Sequence, residues 1–143
     1  MGLAISLAKL LPDKWVLLID GDMHIRSIEL KMCPQTDTTL EDVFAGKPLE
    51  EAIYLCQLES EGKPLYPNLA VLPAGGRFLP PMRGDPLTFV EETKRKFDEM
   101  MKKLRKRFAY IIIDTPASMS FEHLIFTAVA DAVIYVAEPN DDS

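Results

Sequence analysis

The chain has 143 residues, 48% of them hydrophobic and 27% charged, with a formal net charge of −6. That is enough for one domain with a real core, and the acidic balance argues against a dedicated nucleic-acid binder, which carries a strongly basic face. Two cysteines, Cys33 and Cys56, show no CxxC spacing and no histidine cluster beside them. They argue against a disulfide framework or a zinc site and point to a reducing, cytoplasmic setting.

From the amino terminus, LAISLAKLL (3–11) spaces its apolar residues as a helix does, until Pro12-Asp13 stops the pattern. It lacks the basic leader and small-residue cleavage site of a signal peptide. No run approaches the roughly 20 apolar residues of a membrane span. WVLLI (15–19) is apolar without alternation, as in a strand buried on both faces. Ile25, Ile28 and Met32 fit one side of a short helix ending before Pro34. TTLEDVFAG (38–46) predicts a helix with a capping box of Thr38 and Glu41 and a glycine end. PLEEAIYL (48–55) predicts a second short helix with Pro48 at its first position.

LAVLPAGG (69–76) is a further buried strand broken at Pro73, and residues 73–86, rich in proline and glycine, form a loop. A helix over 87–107 has Val90, Thr93, Phe97, Met100, Met101 and Leu104 on one face. AYIIID (109–114) and DAVIYVAE (131–138) are the third and fourth strands, with a helix around 121–129 between them. Strands alternating with helices predict an α/β fold, a doubly wound, mostly parallel sheet, in a single domain over 1–143.

In such sheets ligands sit outside the carboxyl ends of the strands. Two strands here end in acid at that edge, LLID followed by Gly21-Asp22, and IIID followed by Thr115-Pro116. Singly, each aspartate reads as a cap for the next helix. Together they gather carboxylates that repel one another unless a cation or bound water lies between them. Magnesium beside a phosphate is the natural partner, because it prefers oxygen ligands and keeps several waters.

VLLIDGDMHIRSIELKM resembles the deviant-Walker strand of the MinD/ParA family of P-loop ATPases, an apolar strand followed by D-x-D. YIIIDTPAS resembles that family's Walker B strand with its D-x-P-A switch. TLEDVFAGKPLEEAIY followed by NLAVLPAG matches the spacer between them, and AVIYVAEPNDDS the strand and turn after the Walker B helix. The resemblance spans nearly the whole chain, with its elements in order, and implies a three-layer P-loop NTPase-like fold that is incomplete here. It implies ATP and magnesium as ligands, with Asp114 and Asp20 at the metal and Asp20, Thr115 and Pro116 at the nucleotide. Asp22 would position the attacking water, and Thr115 to Ala117 would begin the switch that senses the γ-phosphate. It further implies a homodimer, switched by ATP, that positions or partitions a regulatory protein partner.

The family's glycine-rich loop ending in G-K-[ST] is not in this sequence. Gly75-Gly76-Arg77 lacks the lysine and hydroxyl, while Gly46-Lys47-Pro48 and Gly62-Lys63-Pro64 lack the cradle of backbone N–H groups. The resemblance places that loop and its strand immediately before LAISLAKLL, and further strands after Ser143. It also places the loop's strand beside the Walker B strand, so the sequence reads as the middle of such a protein. The alternative is a non-catalytic relative without the P-loop, serving as an interaction or scaffold module. Lys102, Lys103, Arg105, Lys106 and Arg107 read first as a solvated face that complements the helix dipole. DNA or membrane contact is the other reading of that cluster, and the acidic charge balance does not support it. His24 and Arg26 follow the D-x-D motif and read as surface residues before ligand contacts, and His123 reads as structural.

Overall fold

A computed structural model describes residues 2–20, 38–73 and 84–114 of the chain. In chain order they form α1 (Gly2–Leu10), β1 (Val16–Asp20), α2 (Leu40–Phe44), a 3-10 turn (Leu49–Ala52), β2 (Tyr54–Leu55), β3 (Glu59–Ser60), β4 (Lys63–Pro64), β5 (Leu69–Pro73), α3 (Pro86–Arg107) and β6 (Tyr110–Asp114). The elements expected at 25–32, 121–129 and 131–138 lie outside the described residues, as do Cys33 and His123.

Four strands make one sheet in the order β2-β5-β1-β6, with β1 parallel to both β5 and β6 and β2 antiparallel on β5. A strand flanked on both edges and both faces needs an uninterrupted apolar run, and Val16 to Ile19 supply it. Side chains alternate across the sheet. Leu17, Ile19, Ala70 and Leu72 pack beneath Leu40, Leu49, Phe97, Met101 and Leu104 of α2, the 3-10 turn and α3. Val16, Leu18, Leu69 and Val71 meet Ala4 and Ala8 of α1 on the other face, together with Cys56. The result is helix, mostly parallel sheet and helix in three layers. No described helix is long and apolar enough to cross a membrane.

The long helix α3 carries its start signal in sequence. The Asp85 carboxylate accepts from the Thr88 N–H at 3.2 Å and the Thr88 hydroxyl at 2.9 Å, and Pro86 occupies the first turn, where it forfeits no bond. Its buried face is the expected one except that Val90 is only half-buried, and buried Thr93 satisfies its hydroxyl by donating to the Phe89 carbonyl at 2.8 Å. Asp85→Ala is expected to cost about 1 kcal/mol, read as a lower urea midpoint with an unchanged m-value.

Tertiary contacts revise three local expectations. The capping box uses Thr39 and Asp42 instead of Thr38 and Glu41: the Asp42 carboxylate accepts from the Thr39 N–H at 2.9 Å and its hydroxyl at 3.3 Å. Thr38 is buried, and both its backbone groups are engaged by one phenol. Its N–H donates to Tyr54 Oη and its carbonyl accepts from the same hydroxyl, each at 2.8 Å.

The helix expected over 48–55 stops after a single 3-10 turn capped by Pro48. Tyr54 and Leu55 instead pair with Val71 and Ala70, which satisfies backbone groups along the β5 edge. Pro73 ends β5 without breaking it, opposite Asp20, where a missing N–H costs least. Between β2 and β5, β3 and β4 make a small hairpin. Glu61 and Gly62 turn it with φ of 53° and 77°, as a right-twisted two-residue turn requires.

Candidate functional site

The parallel register aligns the strand ends. Val16 pairs with Leu69 and Tyr110 at one edge, and Asp20 pairs with Pro73 and Asp114 at the other. Asp20 and Asp114 therefore occupy neighbouring positions on adjacent strands at the carboxyl edge, with backbones about 4.8 Å apart. They are also the last residues of their apolar runs, so the sheet itself sets their separation. Asp114 is half-buried. Asp22, Thr115 and Pro116 follow within two residues of these strand ends and lie outside the described residues.

Two carboxylates on adjacent strands suit magnesium, which is held by one or two carboxylates with waters and substrate phosphates completing its octahedron. Among the described residues there is no group of three or more His, Cys, Asp or Glu that would form an all-protein metal cage.

The glycine-lysine turns serve other ends. Gly46, with φ of 117°, terminates α2, its N–H donating to the Val43 carbonyl at 3.1 Å. Gly62 is the hairpin turn between β3 and β4. Cys56 is buried and unoxidised, and burial pushes its thiol pKa up against a smaller opposing effect of a backbone hydrogen bond at Leu58. It packs as a small apolar residue rather than as a thiolate.

Two side-chain anchors, one at each end of the sheet, join segments distant in sequence. The Tyr54 phenol fixes Thr38, where the connection leaving β1 at the carboxyl edge rejoins the fold. At the opposite edge the Asn68 amide donates to the carbonyls of Ala8 and Leu11 at 3.0 Å and of Lys14 at 2.9 Å, bracketing the end of α1 onto the start of β1. In the sequence Asn68 shows only as an asparagine just before an apolar run, which does not name its partners.

Residues 1–142 match the model of a family described as an AAA domain. An uncharacterized ATP-binding protein of Methanocaldococcus jannaschii is 33% identical over 144 residues, spanning 99% of this chain and 47% of that protein. The cell division ATPase MinD of Pyrococcus furiosus superposes with a TM-score of 0.56 at 28% identity, covering 86% of this chain and 45% of that one. The chain belongs to the MinD/ParA-like P-loop ATPases. A second MinD, the septum site-determining protein of Pyrococcus horikoshii in complex with Mg-ADP, matches with a TM-score of 0.56 at 27% identity, over 86% of this chain and 44% of that one. The chain thus spans about half the length of the relatives it matches. Within this family the mostly parallel three-layer sheet is the expected architecture, and the acidic strand ends lie at its carboxyl edge.

Proposed function

We propose that this chain supplies the magnesium-facing half of a MinD/ParA-like nucleotide site. The observation that carries this reading is the register of Asp20 beside Asp114 at the carboxyl edge of β1 and β6. In this reading Asp114, with Asp20 beside it, holds the cation, which when bound neutralises phosphate charge. Asp22 orients the attacking water, and Thr115 and Pro116 open the segment that responds to the γ-phosphate. Phosphoryl transfer asks little covalent chemistry of a protein and much positioning, a task that carboxylates on rigid strand ends suit. The same reading makes the full protein a cytoplasmic, ATP-switched homodimer that positions a partner protein.

Calorimetry of the full-length protein with ATP and magnesium is expected to show magnesium-dependent binding. Asp114→Asn weakens it at least about tenfold, the equivalent of roughly 1.4 kcal/mol. Asp22→Ala leaves binding nearly intact while abolishing turnover. Equal affinity for Asp114→Asn and the parent would overturn the assignment of the cation site. The second reading is a relative that keeps the fold as an interaction module. It predicts no nucleotide heat at all from the folded full-length protein.

A further inference from the structure

Asn68 holds three segments of chain at once, with its side chain and its main chain. The amide donates to the carbonyls of Ala8, Leu11 and Lys14, and the Asn68 carbonyl accepts from the Val16 N–H at 2.9 Å. Leu69, the next residue, opens β5 and pairs with Val16, the first residue of β1. One buried residue thus ties the end of α1 directly to the starts of the two strands beneath it.

The direction of α1 gives this tie its reach. Ala4 and Ala8 are both buried against Val16, Leu18, Leu69 and Val71, so α1 lies along the sheet and runs antiparallel to β1. Its nine residues rise about 13 Å, close to the length of the five-residue strand. The first turn of α1 therefore lies toward the carboxyl edge, where Asp20 and Asp114 end their strands. A helix start carries about half a positive charge on N–H groups without intrahelical partners. Its distance from the two carboxylates sets the field they feel. The alanines determine how closely α1 approaches the sheet, with Ile5 and Leu7 only partly buried beside them. Side chains that short interlock little and leave the axial position to directional bonds. Among the described residues, the side-chain hydrogen bonds from the strands to α1 and its turn all come from Asn68.

On the reading of that edge as a cation and phosphate site, we infer that Asn68 is a positioning residue for it: the amide sets how far α1 reaches toward Asp20 and Asp114. Asn68 itself stands at the opposite end of the strands, about 13 Å away, too far to touch a ligand held there. It acts through α1. A helix rises about 1.5 Å per residue, so a slip of less than one residue moves the first turn by about 1 Å. A displacement of that size in a site that works by positioning can cost up to about a hundredfold in rate.

Steady-state hydrolysis of magnesium ATP by the full-length protein separates positioning from simple stabilisation, at a temperature where circular dichroism shows each variant folded. Asn68→Ala is expected to lower kcat by about tenfold to a hundredfold, while KM changes less than about threefold. Asn68→Gln restores amide donors on a longer arm, so it recovers part of the urea midpoint without recovering kcat. Phe97→Leu, in the layer of α3, lowers the urea midpoint and keeps the parental kcat. Where Asn68→Ala does not fold, the glutamine variant and Phe97→Leu carry the comparison. A kcat that simply follows the urea midpoint through these variants would overturn the inference. A parent that binds no magnesium ATP in calorimetry overturns the cation-site reading and this inference with it. A parent that hydrolyses ATP beside an equally active Asn68→Ala overturns this inference alone.

Discussion

Phe97→Ala is expected to destabilise the fold by about 3–5 kcal/mol. Phe97 is fully buried at the middle of α3, and its ring stacks on Phe44 with centroids 6.0 Å apart and planes 19° apart. It belongs to the cluster that joins α3 and α2 to Leu17 and Ile19 of the central strand. Truncation leaves a ring-sized void bounded by sheet on one side and helix on the other, and sheet backbone tied into two ladders relaxes little to fill it. Since a domain holds only about 5–15 kcal/mol in total, the variant sits near the limit of folding. Urea denaturation followed by circular dichroism measures the loss, and a change under about 1 kcal/mol would contradict the packing of this face.

Asn68→Asp is the second large effect, and it is electrostatic in origin. The Asn68 amide is a donor to three carbonyls, those of Ala8, Leu11 and Lys14, in a buried position. A carboxylate there would set an acceptor and a charge against three acceptors and deprive each of its amide donor, only the Leu11 carbonyl keeping another, from the Lys14 N–H at 3.0 Å. The cost is expected to be about 3 kcal/mol or more. The pH dependence distinguishes this variant from a packing defect. Burial among carbonyls favours the protonated acid, so the folded-state pKa of the introduced group is raised. Its deficit is then largest at neutral pH and shrinks as the pH falls through the carboxyl range, where the protonated acid donates again. Denaturation midpoints of variant and parent at pH 7 and pH 4.5 test this, and a deficit independent of pH would remove Asn68 from its bracketing role.

The candidate site was legible wherever chemistry and chain direction are local. Asp20 and Asp114 each close an apolar run, and in a parallel sheet such runs end on one edge, so two sequence-distant acids were paired before any contact was known. The buried face of α3 was legible for the same reason, since its periodicity is a property of one helix. Thr38, Tyr54 and Asn68 were not. Thr38 looked like a cap, but a phenol sixteen residues away takes both of its backbone groups, so the cap moves to Thr39. Tyr54 looked helical because Pro48 and two glutamates precede it, yet pairing with β5 outweighs weak propensity in so short a segment.

The apolar runs, their acidic ends, the turn residues and the long amphipathic helix were thus determined by sequence alone, because each depends on neighbours within a few residues. The order β2-β5-β1-β6 and the alignment of Asp20 with Asp114 were decided by tertiary structure. So were the Asn68 bracket and the meeting of Trp15 with the basic end of α3. Each of these joins residues from separate segments of chain. Which backbone groups remain to be paired, and which charges end up side by side, is set only when those segments close on one another.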